Sequence, residues 1–228
     1  MPKVRQLLVI SIVSSLTVLP GIIPSGIIPS GIIPSGIIFS GPAMAQIDTS
    51  NATFNEAVQA VKDKNFRHAV KLFSLQADNN QHDAQYNLAL LMHAGKGTPQ
   101  DFAAALNWAW SSQLGGIEAA AELSDELTGY LPEDIINEVR EMVGTRLKAR
   151  IDDGDPAAIP QFATYHLLML EEPDYDAAYI WFSIAAALGL DGAMIARDEA
   201  RESVEDEKIV ELQREAGTIY ESLDVRLD

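Results

Sequence analysis

The amino-acid sequence predicts an all-α protein, an α-solenoid of stacked antiparallel helix pairs. Three observations carry that expectation. A pattern recurs in tandem without a gap: Asp101, Phe102, Ala104, Ala105, Trp108, Gly116 and Ala120 return 73 residues later as Asp174, Tyr175, Ala177, Ala178, Trp181, Gly189 and Ala193. The same offset links Glu138 to Glu211 and Gly144-Thr145 to Gly217-Thr218. Apolar residues beyond about position 50 recur at the three- and four-residue spacing of amphipathic helices. Finally, β-branched runs of period two are missing downstream of residue 45. A single helix pair cannot bury both its faces and neighbouring pairs can, which is why such a unit repeats.

The elements follow in order. Phe54, Ala57, Val58 and Val61 lie at i, i+3, i+4 and i+7, one stripe of a first helix. Asp63-Lys64-Asn65 reads as a turn, and a second helix runs from about Phe66 to Ala77 and ends at Asp78-Asn79-Asn80. A third covers about His82 to Ala94, before the turn Gly95-Lys96-Gly97. Pro99 suits the first turn of a fourth helix that ends at Leu114 before Gly115-Gly116. A fifth begins near Ile117. Pro132 opens a sixth, whose stripe is Ile135, Ile136, Val139, Met142, Val143 and Leu147. After a turn at Asp152-Asp153-Gly154-Asp155, helices are expected near 157–170, 174–188, 191–202 and 205–223. Ser203 and Asp206 have the spacing of a capping box for the last of these. The paired alanines 104, 105, 177 and 178 allow close helix approach, and Trp108 and Trp181 read as core aromatics.

The first 45 residues read as a targeting segment. Lys3 and Arg5 precede an apolar stretch from Leu7 to Leu19, too short for the roughly 20 residues that span a bilayer. Ala43-Met44-Ala45 is a small-x-small cleavage signal, after which Gln46 would come first. Between them, Gly-Ile-Ile-Pro-Ser recurs from Gly21 as a low-complexity insert. The expected organisation is a signal peptide over 1–45 and a helical repeat domain over 46–228. Removing the leader leaves 14 basic and 33 acidic residues, a net charge of −19. That charge argues against nucleic acid, whose phosphates need a positive footprint, and against anionic membrane surfaces. With no cysteine, neither a disulfide nor a thiol nucleophile is available.

At residues 83–120 the order Asp83-Ala84-Gln85-Tyr86-Asn87-Leu88-Ala89, Gly95-Lys96-Gly97, Asp101-Phe102 with Ala105 and Trp108, then Gly116 to Ala120, resembles a Sel-one-like repeat. That is a tetratricopeptide-like helix-turn-helix unit. Ala89 and Met92 depart from the glycine and tyrosine usual there. In a second copy Ala158, Phe162, Ala163 and Tyr165 lie on the first helix with a one-residue ambiguity, and Glu171-Glu172-Pro173 replaces the glycine turn. Residues 54–77 form a half-matching leading pair. The resemblance implies a protein-interaction scaffold of the bacterial cell envelope rather than an enzyme.

No motif argues for chemistry. Gly95-Lys96-Gly97-Thr98 lacks the first glycine and the final Ser or Thr of a phosphate-binding loop, and no strand precedes it. Asp152-Asp153-Gly154-Asp155 lacks the ligand order of a calcium loop. The histidines 68, 82, 93 and 166 have no metal-helix spacing. Hence no catalytic residue, metal or cofactor is expected.

The expected partner is a protein or peptide, bound through the first helices of each pair. Tyr86, Asn87 and His93 are its candidate residues, and Trp110 joins them because its equivalent is Ser183, so the repeat does not require it; packing of Trp110 against the adjacent inter-repeat helix is the equal alternative. The chain is expected to be exported, periplasmic, monomeric and not inserted in the membrane. One alternative is an envelope enzyme, or enzyme-regulating subunit, acting on glycans. Another is a self-assembling module, against which polar Glu211, Gln213 and Arg214 suggest a capped end.

Overall fold

A computed structural model describes residues 51–225 of the 228; the leader and its cleavage signal lie outside the described residues. Ten α-helices and one 3₁₀ turn follow one another, with no strand among the described residues. They are α1 (Asn51–Lys62), α2 (Phe66–Asp78), α3 (His82–His93), α4 (Phe102–Leu114), α5 (Ala119–Thr128), α6 (Glu133–Asp152), α7 (Ala158–Leu168), α8 (Tyr175–Ala187), α9 (Ala193–Arg201), the 3₁₀ turn Asp206–Lys208 and α10 (Ile209–Ser222). Consecutive helices α1 to α5 pack on one another, as do α6 to α9. In addition α6 crosses onto α4, and α10 onto α8. The fold is the helical solenoid that the periodicity predicts.

The echoed residues have identifiable jobs. Asp101 and Asp174 are both N-caps, accepting from the amides of Ala104 and Ala177 at 2.9 Å each. Ala105 and Ala178 are fully buried where helices meet. Gly97, at φ +83°, touches α2 so closely that a Cβ would stand 2.3 Å from the Phe66 carbonyl oxygen, so only glycine fits. Lys96 beside it covers the Phe66 ring at 5.5 Å. The glycine turn is therefore a clasp onto α2.

Two clusters form the core. Ala57, Ala69, Phe73, Ala84 and Leu88 join α1 to α3, and a larger cluster runs from α3 to α10. Met92 and Trp108 pack against both.

Three local expectations change. The fourth helix starts at Phe102, not at Pro99, because the Asp101 carboxylate caps it and the preceding loop is spent reaching α2. At the start of the last helix Asp206 pairs with Arg201, and the chain enters through a 3₁₀ turn with no side-chain cap. Most importantly, Trp110 is 6% exposed inside the larger cluster, while Trp108 is only half-buried. Since α4 is packed by α3, α5 and α6, no side of it is left for a protruding Trp110.

Burial also resolves the ambiguity of the second copy. Ala84, Ala89 and Leu91 of α3 are buried, and so are Ala158, Ala163 and Tyr165 of α7, an offset of 74. The backbone agrees: the Asp101 amide bonds the Met92 carbonyl, and the Asp174 amide bonds the His166 carbonyl. The shorter turn absorbs one residue, so His166 stands where Met92 does, and His93 is not its counterpart.

Candidate binding surface

The sequence places Tyr86 and His93 two turns apart on α3, and the structure aims both at α5. Tyr86 is half-buried, and burial first, then the Glu122 carboxylate, raises its phenol pKa above the ordinary value. Its hydroxyl therefore stays a donor at neutral pH. His93 has Glu126 Oε1 at 3.8 Å. Around it the rings of Phe102 and Tyr130 converge, with centroids 5.7 and 6.2 Å from the imidazole. Phe102 and Tyr130 stack at 4.8 Å and 23°. Tyr130 is 53% exposed, and its hydroxyl donates to Glu126 at 3.1 Å. The end of α3, the start of α4 and the residues after α5 thus present one aromatic patch with Glu122 and Glu126 beside it.

Of the four candidates, Tyr86 and His93 come together here. Asn87 lies a third of a turn away with its amide committed to the Asp83 carbonyl at 2.8 Å. Trp110 is in the core and contributes no surface. Phe102, Glu126 and Tyr130 went unmarked in the sequence. Phe102 was visible only as a repeat position, and Tyr130 follows a helix the repeat pattern does not include.

The other histidines do different work. His68 pairs with Glu56 at 2.8 Å on the surface. His82 ties α3 to α7, with Gln161 at 3.1 Å on one ring nitrogen and Gln85 at 2.9 Å on the other. His166 is largely enclosed by Phe162 and Tyr165, and neither ring nitrogen has a hydrogen-bond partner. Burial lowers its pKa, with Asp174 at 3.9 Å opposing.

Two open grooves flank the second unit. One, of about 390 Å³, runs between Leu114-Gly115-Gly116 and Pro160, Gln161 and Thr164. The other, of about 460 Å³, is lined by Tyr179, Ser183, Arg197, Asp198, Arg201 and Gln213. Each holds a single carboxylate, so neither sets two face to face for glycan hydrolysis. At the aspartate turn, Asp152 pairs with Lys148, and Asp155 pairs with Arg150 and caps the Ala157 amide. Those carboxylates are committed to helix ends. Among the described residues no three His, Asp or Glu side chains converge as a metal site, and no helix is long and apolar enough to cross a membrane.

The family model described as Sel1 repeat matches the chain at residues 82–109 and again at 164–190. The first match spans α3 to α4 and the second the end of α7 to α8. No curated protein matches the chain.

Proposed function

Because the chain is a Sel1-repeat protein, and such repeats generally mediate protein–protein contact, we propose that it is a non-enzymatic scaffold of the bacterial cell envelope that binds a protein or peptide through the α3–α5 edge. The aromatic patch of His93, Phe102 and Tyr130 carries this reading. Aromatics in contact with one another, here Tyr130 exposed with His93 and Phe102 half-buried, supply area at low entropic cost, and aromatic side chains are enriched among the residues that dominate binding energies at interfaces. With Glu122 and Glu126 alongside, the patch suits a segment bearing lysine or arginine, which pairs with carboxylates and stacks over Tyr130. The net charge of −19 without the leader favours the same partner at long range.

Export through a leader cut after Ala45 is part of the proposal, motivated by the basic, apolar and small-residue order of residues 3–45. The mass of the protein released by osmotic shock tests it: release of a chain beginning at Gln46 is expected, and an uncut chain in the membrane pellet refutes export. For the surface, Tyr130→Ala combined with Glu126→Lys is expected to weaken a co-purifying envelope partner at least tenfold while far-UV circular dichroism stays unchanged. Undiminished partner recovery rules out this edge.

A further inference from the structure

The 73-residue echo makes each part of the first unit a template for the second, and one part of the template has no counterpart among the described residues. Helix α7 lies on α6: the Tyr165 hydroxyl donates to the Arg140 carbonyl at 3.2 Å, and its ring covers Gly144 so tightly that a Cβ there would meet it at 2.9 Å. Gly144 and Leu147 are buried by this contact. Their equivalents on α10 are Gly217 and Tyr220, and Gln213 stands for Arg140. All three are exposed, and nothing lies within 4 Å of a Cβ built on Gly217. Among the described residues no helix packs on this face of α10.

The neighbouring groove follows from the same comparison. Trp110 is buried in the larger cluster, whereas its equivalent Ser183 lines an open groove of about 460 Å³ together with Gln213. Gln213, one of the polar residues expected to cap the end, therefore lines the groove and shares an exposed stripe with Gly217 and Tyr220.

Charge selects among occupants. Residues 193–225 carry ten Asp or Glu and four Lys or Arg, and the two arginines that line the groove, Arg197 and Arg201, are paired with Asp198 and Asp206, while α7 has no Asp, Glu, Lys or Arg. A second copy would set two acidic ends against each other; a basic partner would be attracted. We propose that the outer face of α10 and the groove over Ser183 form a docking seat for one amphipathic helix of a basic partner protein. An aromatic side chain of that helix lies over Gly217 as Tyr165 lies over Gly144. This surface is separate from the α3–α5 edge, so either can fail without the other.

The probe is a peptide of residues 157–169 with three lysines at each end, titrated into the isotope-labelled full chain and followed by amide NMR shifts. Shifts at Ser183, Gln213, Gly217 and Tyr220 are expected. Gly217→Gln fits the open space, leaves helix content unchanged and should weaken binding at least tenfold; Tyr165→Ala in the peptide should do the same. Absence of shifts at α10 up to millimolar peptide, shifts confined to His93 and Tyr130, or full affinity in Gly217→Gln each overturns the proposal. So does sedimentation showing a dimer that Gly217→Gln returns to monomer, which would give the seat to a second copy.

Discussion

His166 shows how one residue inherits a position it does not suit. It occupies the place that Met92 fills in the first unit, an apolar slot, and brings two ring nitrogens that find no partner. Burial disfavours its charged form and lowers its pKa below the ordinary 6.5, and Asp174 offsets this only in part. The sign follows from linkage: between the lowered folded value and 6.5 the unfolded chain binds more protons, so stability is lost as pH falls through that window. His166→Met restores the residue of the first unit. It is expected to flatten the fall of the urea midpoint between pH 7 and pH 5; an unchanged slope shows that His166 does not titrate as argued. Legibility at this scale was uneven. Asp101 and Asp174 were visible as an echo because an N-cap is a local device. Trp110 was only half legible: a position without an echo fits a partner contact and packing on the adjacent inter-repeat helix alike, and its burial decides for packing. The unit is asymmetric there: α4 also contacts α7, and among the described residues no helix takes the equivalent place on α8.

At the scale of helices, Gly144 and Gly217 separate packing from propensity. Both sit inside a helix, where glycine costs roughly 0.5–1 kcal/mol relative to alanine. At Gly144 the cost is offset because the backbone must meet the Tyr165 ring, and a Cβ has no room. At Gly217 no internal contact asks for glycine. Gly217→Ala is therefore expected to raise stability by about 0.5–1 kcal/mol, and Gly144→Ala to lower it by about 1–3 kcal/mol through overpacking. Chemical denaturation of both variants checks the pair, and equal signs refute the distinction. Helix order and type were legible from apolar spacing and the glycine, proline and aspartate signals between segments. What periodicity could not reveal was which helices meet. The echo of Gly144 and Gly217 showed equivalence, not that one is covered and the other open.

At the scale of the molecule, protection against unfolding is set by how many neighbours each helix has. Helix α4 is enclosed by α3, α5 and α6 with α7 beyond, and Ala105, Leu106 and Ala109 are fully buried. Helix α10 rests chiefly on α8 and buries only Leu212 and Ala216 along its length. A solenoid holds together through nearest-neighbour interfaces, so a helix with one interface among the described residues opens before a helix packed on three sides does. Native-state amide exchange should give α4 the highest opening free energy and α10 a value lower by on the order of 2 kcal/mol; one uniform value across α4 and α10 contradicts this. The same measurement separates the two proposed surfaces. A ligand at the α3–α5 edge stabilises the folded chain, but α10 can still open by itself and keeps its low protection. A helix seated on Gly217 must leave before α10 opens, so α10 is the segment whose exchange it slows most.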